Sequence, residues 1–363
     1  MNLRIPGPTP IPPQVEAALR RPMINHRGAV FSEMQKRIVA RLQLIFETSN
    51  DILIFPCSGT GGLEAALVNV LSPGDRVLAC TAGAFGDRFA EIAAAFGAQV
   101  DKLTFPWGTA IDPVRVAEKL RAAPDTRAVL ITHSETSTGV LHPVQAIAKA
   151  VRENSDALVM VDAVSSLAAA PLATDAWNID VVITGSQKAL MSPPGAAILA
   201  ISKHAWHAYE TARAPRFYWD WRQWEKWAEK GQTPVTPALP IYYALDAALD
   251  LILGEGLPTV FARHERLGEL ARERAQALGF ELFPDPRYAS PTVTALRPPA
   301  GVDATRLIRY VRDNLAVEFA GGQGALAGKI VRIGHLGYVN EADLHTALNA
   351  LEQVMATAEL VSV

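Results

Sequence analysis

Residues 181–188 read Val181-Val182-Ile183-Thr184-Gly185-Ser186-Gln187-Lys188, so a short apolar run is followed by a Gly/Ser turn that carries a lysine. A solvated surface lysine needs no such setting. A lysine that condenses with an aldehyde must be held still and kept partly neutral, which desolvation or a nearby cation achieves. The stretch therefore predicts a strand end with Lys188 as a candidate catalytic group, although by itself it also fits a surface lysine.

Around this stretch, from residue 51 to about residue 202, short apolar runs alternate with helical segments. The predicted strands are residues 52–55, 76–80, 99–104, 128–132, 158–162, 181–184 and 196–201. The predicted helices include residues 62–71, 88–96, 113–122 and 144–153. This alternation predicts an α/β fold with a mostly parallel seven-stranded sheet and helices on both faces. Ligands on such sheets bind at the C-terminal ends of the strands.

The flanking segments differ from this pattern. Five prolines among the first thirteen residues predict an extended arm, after which helical periodicity starts near Gln14 and recurs over residues 30–46. A long apolar helix at 241–253 precedes a Gly/Pro-containing joint at 254–258. Beyond it we predict strands at 292–296, 317–320 and 330–333, and helices at 304–314 and 341–358. The chain is thus predicted to comprise an arm (1–15), a large domain (16–256) and a smaller C-terminal α+β domain (257–363).

The composition is that of a packed protein, because 49% of the 363 residues are hydrophobic and 20% are charged. The net charge of −3 and the lack of a Lys/Arg run argue against nucleic acid and membrane surfaces as partners. Cys57 and Cys80 do not make a disulfide framework or a thiolate metal site, and no metal is predicted. Without a signal-like N-terminus or a membrane-length apolar run, we expect a cytoplasmic protein.

A Gly-rich turn, Ser58-Gly59-Thr60-Gly61-Gly62, precedes a helix rich in Ala and Leu. Its glycines let backbone N–H groups approach an anion, to which the helix N-terminus adds partial positive charge. Ser58 and Thr60 can donate hydroxyls to phosphate oxygens. The turn also fits a helix N-cap without any ligand. It matches neither a Walker loop nor a dinucleotide-binding turn.

Asp162 and Phe85 are the next candidates. Asp162 ends the apolar run 157–162, where a carboxylate must be paired, hydrated or liganded, unless it caps a helix. Phe85 lies between small residues and fits either the core or a stack on a flat ring. Together, the Ser58 turn, Asp162 and Lys188 indicate a ligand that has a phosphate, a ring nitrogen that is protonated and an aldehyde. Pyridoxal 5′-phosphate has all three.

Each of three other features has more than one interpretation. The polar run 133–139 contains His133 and Glu135, which could form an acid–base pair, but no Gly-x-Ser-x-Gly elbow or zinc helix supports hydrolysis. Arg332, within the apolar run 330–334, either faces solvent or grips a substrate carboxylate through two hydrogen bonds. The aromatic cluster at 217–227 fits the core, a subunit interface or a substrate-facing wall.

Taken together, these motifs resemble the class V, fold-type I aminotransferases of the alanine–glyoxylate and serine–pyruvate group. The resemblance runs almost end to end. It covers residues 6–10, 25–27, 58–62, 64–69, 85–88, 135–140, 161–167, 185–190, 193–195, 231–234 and 332–337. It implies pyridoxal 5′-phosphate as cofactor and a homodimer with shared active sites.

The resemblance also implies roles for individual residues. Lys188 is expected to carry the cofactor as an aldimine and to shuttle a proton, and Asp162 to pair with the pyridine nitrogen. The remaining cofactor contacts are expected from Phe85 and Val164 on the two ring faces, Thr136 at the phenolic oxygen, and Ser58, Gly59, Thr60 and Gln187 at the phosphate, with Thr236 supplied by the neighbouring subunit. Arg332 is expected to bind the substrate carboxylate, with Gly7 lining the same pocket.

The chain departs from its relatives at two of these places. Phe85 stands where others have Trp, and Thr233-Pro234-Val235 stands where some relatives carry an aromatic residue close before the position of Thr236. Neither change removes a group that the chemistry needs. Both are expected to alter the grip on the cofactor and the substrate range.

The function that the resemblance implies is transfer of an amino group from a small donor, alanine or serine, to glyoxylate or pyruvate. Aspartate or 2-aminoethylphosphonate are alternative donors, and a dicarboxylate would need a second cation such as Arg27 or Arg216. Cysteine desulfuration is disfavoured because no cysteine follows Cys80. A partner subunit of a soluble hydrogenase, which merely retains the fold, is the alternative of another class. That alternative predicts eroded cofactor residues, whereas Lys188 and Asp162 are intact.

Overall fold

The computed structural model describes residues 1–357. Within them the strands, in chain order, are β1 (Asn2–Leu3), β2 (Asp51–Phe55), β3 (Arg76–Thr81), β4 (Gln99–Thr104), β5 (Ala128–Thr132), β6 (Ser134–Glu135), β7 (Val140–Leu141), β8 (Leu158–Asp162), β9 (Val181–Gly185), β10 (Ala197–Ile201), β11 (Glu281–Leu282), β12 (Val293–Arg297), β13 (Val317–Glu318), β14 (Ala320–Gly321) and β15 (Val331–Gly334).

The α-helices of the same residues are α1 (Pro13–Leu19), α2 (Ala29–Phe46), α3 (Gly59–Val70), α4 (Ala84–Ala95), α5 (Pro113–Ala122), α6 (Val144–Asn154), α7 (Lys203–Tyr209), α8 (Trp221–Ala228), α9 (Leu239–Glu255), α10 (Leu257–Ala277), α11 (Ala304–Leu315) and α12 (Glu341–Ala356). Short 3-10 helices occupy Pro286–Tyr288 and Gly324–Leu326. Among residues 1–357, none of the helices has the length and apolar character required to cross a membrane.

The central sheet has seven strands in the order β2-β10-β9-β8-β5-β3-β4. Only β10 is antiparallel to its neighbours β2 and β9, and all other pairs are parallel. The predicted α/β fold with a mostly parallel seven-stranded sheet is confirmed. Because β10 opposes both of its neighbours, β2 and β9 run in the same direction as β8. The segments that follow β2, β8 and β9 therefore leave the sheet at one edge, and they carry Ser58, Asp162 and Lys188.

Helices cover both faces of this sheet, as alternation along β2 shows. Ile52 and Ile54 belong to one buried cluster with α2, α5, α6 and α9, whereas Leu53 and Phe55 belong to another with α3, α4, α7 and α8. Side chains of a strand alternate between faces, so an apolar run without polar interruptions indicates burial on both. Because helices cover both faces of the sheet, a ligand can approach it at the C-terminal ends of the strands, where the candidate site lies.

A second sheet, in the order β11-β12-β15-β14, packs with α10, α11 and α12 around its own hydrophobic cluster. The separate cluster supports the proposed small domain, although the domain limits at 15 and 256 remain predictions. The predicted joint at 254–258 is wrong in extent. Only Gly256, at φ +83°, separates α9 from α10, because Pro258 lies in the first turn of α10, where its missing N–H costs nothing.

Three other predicted boundaries also differ. Helix α1 begins at Pro13, inside the predicted arm, because proline suits the first helical position. The strand predicted at 317–320 is two strands: β13 pairs with β1, and β14 pairs with β15 in the second sheet. The last helix ends at Ala356, and residue 358 of the prediction lies outside the described residues.

The aromatic cluster and the cysteines have mixed environments. Trp221 and Trp224 are buried in the core, as one interpretation predicts, whereas Phe217 is 93% exposed. Cys80 is buried and Cys57 is half-buried, and both are free thiols. The core interpretation therefore applies to the tryptophans and leaves Phe217 available for another surface.

Candidate active site

A cavity of about 180 Å³ lies at the C-terminal edge of the central sheet. It is lined by Ser58, Gly59, Thr60, Leu63, Phe85, Arg88, Asp162, Val164, Gln187 and Lys188. All but Leu63 and Arg88 were predicted as site residues from the sequence. The parallel strand directions explain this convergence, since residues more than a hundred positions apart leave the sheet at the same edge.

One end of the cavity is suited to an anion. Ser58 is the N-cap of α3, yet its side chain makes no capping hydrogen bond, so the hydroxyl is available to a ligand. The first N–H groups of a helix have no partners within it and carry partial positive charge. A Cβ on Gly59 would lie 2.7 Å from Cγ2 of Val164, so this close approach requires glycine. Gln187 also lines the cavity, and its side-chain amide N–H₂ is a donor that an anion could accept from, whereas its buried Oε1 has no hydrogen-bond partner among the described residues.

Asp162 also lines the cavity. Its carboxylate is buried and accepts one hydrogen bond, from the Val164 N–H at 2.9 Å. Burial raises the pKa of Asp162 to about 6, and the charge of Glu135 adds to this rise. A buried carboxylate with spare acceptor capacity is suited to a protonated ring nitrogen. Phe85 lines the same cavity, and its ring offers a face on which a flat ligand can stack.

Lys188 is held by the N-terminal arm. Its Nζ donates to the Pro6 carbonyl at 2.7 Å. Burial lowers the pKa of Lys188 to about 8, the Arg332 charge lowers it further, and Asp162 opposes the change. Gly7 has a φ of +135°, and a Cβ there would lie 2.4 Å from Nζ, so the arm can pack on the amine only with glycine at this position. The amine is thus fixed in place and partly neutral near pH 8, as condensation with an aldehyde requires.

Arg332 does not face solvent, because it is only 5% exposed. Its Nε donates to the Gly321 carbonyl at 2.8 Å and its Nη1 to the Thr136 carbonyl at 3.0 Å. Burial lowers the pKa of Arg332 to about 10, against the opposing charge of Glu135. These bonds leave the Nη2 end for a ligand, and a guanidinium in this setting is well suited to a carboxylate.

Four predicted site residues do not line the cavity, namely Arg332, Gly7, Thr136 and Thr236. Thr136 is buried and its hydroxyl donates to the Ser165 Oγ at 2.8 Å. Thr236 is exposed and does not line the cavity. The two cations considered for a dicarboxylate are also elsewhere: Arg27 donates to the carbonyls of Thr233 and Pro234, and Arg216 to those of Val68, Ala212 and Ala214.

Sequence reasoning missed two contributors. Arg88 lines the cavity with its Cζ 4.9 Å from the Phe85 ring centroid. Its spacing of three residues from Phe85 on a helix is the signal that could have identified it. The second is Glu135, which does not pair with His133. Its carboxylate accepts hydrogen bonds from the N–H groups of Phe85, Gly86 and Ser137, and burial lowers the pKa of His133 to about 4.

The family described as "Aminotransferase class-V" matches residues 2–344 of the chain.

The chain belongs to the class-V aminotransferase family.

Three curated relatives of this family member match along nearly its whole length. A soluble hydrogenase, small subunit, of Synechococcus sp. is 42% identical over 98% of this chain and 92% of its own. A serine–glyoxylate aminotransferase of Methylorubrum extorquens is 39% identical, covering 97% and 90%. An L-aspartate–glyoxylate aminotransferase of Paracoccus denitrificans is 38% identical, also covering 97% and 90%.

The crystal structure of an alanine–glyoxylate aminotransferase from Nostoc sp. has a TM-score of 0.93 to this chain. It is 32% identical and the match covers 97% of this chain and 94% of that one. The predicted family, the aminotransferase class and the fold are therefore confirmed.

Proposed function

We propose that this class-V aminotransferase binds pyridoxal 5′-phosphate in the cavity and transfers an amino group from alanine or serine to glyoxylate or pyruvate. The observation that carries the proposal is the convergence of Lys188, Asp162 and the Ser58 turn on one cavity of about 180 Å³. A donor of small side chain fits because the cations considered for a dicarboxylate, Arg27 and Arg216, are engaged by backbone carbonyls. Relatives named for serine–glyoxylate and alanine–glyoxylate transfer support the same choice.

The residues present fit this cofactor. The phosphate would be held by Ser58, Gly59, Thr60 and Gln187, and the ring nitrogen by Asp162. Phe85 and Val164 would flank the ring, and Thr136 would bond its phenolic oxygen. When bound, the cofactor supplies an electron sink for the electron pair left on the donor's α-carbon.

The chain's own groups then have distinct tasks. Arg332 binds the donor's α-carboxylate through its Nη2 end and so fixes the position of Cα. Lys188 Nζ, in its neutral form, would act as the general base that takes the proton from Cα. The Pro6 carbonyl, 2.7 Å from Nζ, holds the amine in place whenever it is free. Asp162 keeps a proton at the ring nitrogen, which favours withdrawal of electrons from Cα.

We further propose a cytoplasmic homodimer in which Thr236 of each subunit completes the phosphate site of the other. Thr236 is exposed on this chain, and large apolar side chains are exposed at Met23, Val30 and Phe217. The same assembly would place the Thr233–Pro234 segment, and with it Arg27, beside the partner's site.

Two other functions have a specific observation in their favour. An aspartate donor is supported by the relative named for L-aspartate–glyoxylate transfer, and a hydrogenase-associated role by the relative named as a hydrogenase subunit. A protein that only kept the fold would not need Lys188 and Asp162 facing one cavity. A 2-aminoethylphosphonate donor on the same scaffold would present to Arg332 a phosphonate in place of a carboxylate, one carbon further from the amine-bearing carbon.

The test is a titration of the visible absorbance of the purified protein, loaded with pyridoxal 5′-phosphate, with four donors separately. We expect alanine or serine to bleach the cofactor band and glyoxylate or pyruvate to restore it. Bleaching by aspartate or 2-aminoethylphosphonate alone would replace the donor. Lys203→Ala, an exposed lysine at the opposite sheet edge, is the matched control for Lys188→Ala. If the wild type forms no band and Lys188→Ala changes nothing, the transaminase proposal fails and the partner-subunit role replaces it.

A further inference from the structure

Helix α4 carries Phe85, yet it has no cap of its own. Its N-cap residue is Gly83, which lacks a side chain to accept from the first N–H groups. The carboxylate of Glu135, fifty residues further along the chain, accepts from the N–H groups of Phe85 at 3.1 Å and Gly86 at 3.0 Å. Helix N-termini need such acceptors, and a negative charge there is favourable. A remote carboxylate therefore fixes the start of the helix that carries the predicted stacking ring.

Ser137 completes this arrangement. Its Oγ accepts from the Ala84 N–H at 3.0 Å and donates to Glu135, as does its backbone N–H at 3.2 Å. The Glu135 carboxylate thus accepts from N–H and O–H donors alone, and these hydrogen bonds oppose the rise in its pKa that burial causes. A Cβ on Gly83 would lie 2.4 Å from Cδ of Glu135, so the missing side chain at the N-cap leaves the space that the carboxylate occupies.

The other side of Glu135 adjoins the carboxylate-binding arginine. Thr136, the next residue, offers its carbonyl to Arg332 Nη1 at 3.0 Å. Glu135 itself is fully buried and does not line the cavity. Glu135 is therefore linked both to Phe85, the predicted ring-stacking residue, and, through Thr136, to Arg332, the predicted substrate-binding residue. It does not itself line the cavity.

We infer that Glu135 is a positioning residue, which holds Phe85 against the cofactor ring and the Thr136 carbonyl against Arg332 in a single geometry. The inference rests on the proposed function, in which Phe85 stacks on the ring and Arg332 binds the donor. It assigns no proton transfer to Glu135. It explains why a carboxylate is buried here, since an apolar side chain would leave N–H groups at the start of α4 unsatisfied and an amide would offer one acceptor oxygen in place of two.

The first test is a double-mutant cycle on cofactor affinity. Glu135→Gln keeps the size of the side chain but turns one of the two acceptor oxygens into an N–H₂ donor, so that either the helix N–H groups at Oε2 or the Ser137 N–H at Oε1 lose their acceptor. We expect it to weaken the binding of pyridoxal 5′-phosphate about tenfold, the effect of losing a helix cap, and less than about twofold when Phe85 is already Leu. Glu91→Gln, the same change at an exposed position of α4, is the matched control and should leave the affinity unchanged.

A second measurement does not depend on the cofactor. Hydrogen exchange of the cofactor-free protein should accelerate at residues 84–86 in Glu135→Gln and, to a lesser extent, in the milder Ser137→Ala. The visible circular dichroism of the bound cofactor should weaken in the same order, which a general loss of stability would not produce.

Two results would overturn the inference alone: equal losses of affinity from Glu135→Gln with and without Phe85, in a wild type that binds the cofactor, or unchanged exchange at residues 84–86. A wild type that binds no cofactor would instead defeat the proposed function, and the inference with it.

Discussion

Asp162 and Glu135 are both carboxylates buried near strand ends, and burial raises the pKa of both, yet their surroundings differ. Asp162 accepts one hydrogen bond from the protein and lines the cavity. Glu135 accepts from three residues, Phe85, Gly86 and Ser137, and lies outside the cavity. Burial and pKa do not separate the two groups. The two groups differ in how many hydrogen bonds they accept from the protein. Asp162 has oxygen lone pairs left for a ligand, whereas those of Glu135 are used to hold neighbouring backbone in place.

The same criterion separates two arginines. Arg216 donates to three backbone carbonyls, of Val68, Ala212 and Ala214, which uses it structurally. Arg332 donates through Nε and Nη1 to two carbonyls that hold it in place, and its remaining end is not committed. A functional side chain is thus held at one side and free at the other.

The largest effect should come from making the same chemical change in the two carboxylates. We expect Asp162→Asn to lower kcat/KM on the order of 10³-fold, because an amide no longer keeps the ring nitrogen protonated. Glu135→Gln should cost about tenfold through cofactor affinity. Steady-state kinetics with the donor found by titration would measure both. Equal losses would break the distinction between a ligand-facing carboxylate and a supporting one.

The pH dependence of cofactor capture should be the next largest effect. With the pKa of Lys188 lowered to about 8, the neutral amine accumulates as the pH rises through that value. Capture by the cofactor-free protein should therefore accelerate about tenfold per pH unit below pH 8 and level off above it. Stopped-flow absorbance measures the rate, and division by the rate constant of N-acetyl-lysine per neutral amine at the same pH removes the cofactor's own ionisation. A rate that still climbs tenfold per unit above pH 9 would show that burial leaves the lysine unperturbed.

The sequence was sufficient for the seven strands of the central sheet and for the residues at their ends, because apolar runs and polar turns are local signals. Lys188, Asp162 and the Ser58 turn were found in this way. The cap on α4 was not, since Glu135 and Phe85 are joined by a tertiary contact that leaves no local pattern. The same holds for the Pro6 carbonyl, a backbone atom that any residue would supply. The division of 317–321 between β13 and β14 depends on two different partner strands, which a single apolar run does not reveal.

The arginine criterion predicts a smaller effect, confined to the donor. Arg332→Lys should raise the donor KM about thirtyfold with little change in kcat, because an ammonium cannot reproduce the forked hydrogen bonding of a guanidinium. Arg297→Lys, an exposed arginine of the same sheet, should leave KM unchanged. A fall in kcat with constant KM would place Arg332 away from the donor carboxylate.

The smallest effect should come from Thr236, which does not line the cavity of its own chain. Thr236→Val should weaken cofactor affinity about threefold, because a hydroxyl contact to the partner's phosphate site is lost while the shape is kept. The dimer should persist in sedimentation, and Thr305→Val, another exposed threonine, should have no effect. Unchanged affinity in Thr236→Val would remove this residue from the shared site.

Reductive trapping tests the central claim most directly. The protein is mixed with pyridoxal 5′-phosphate, reduced with borohydride, digested and mapped by mass spectrometry. The account predicts one modified peptide, which contains Lys188, and its loss in Lys188→Ala but not in Lys203→Ala. Labelling of another lysine, or no labelling of the wild type, would contradict the assignment of the cavity as the cofactor site.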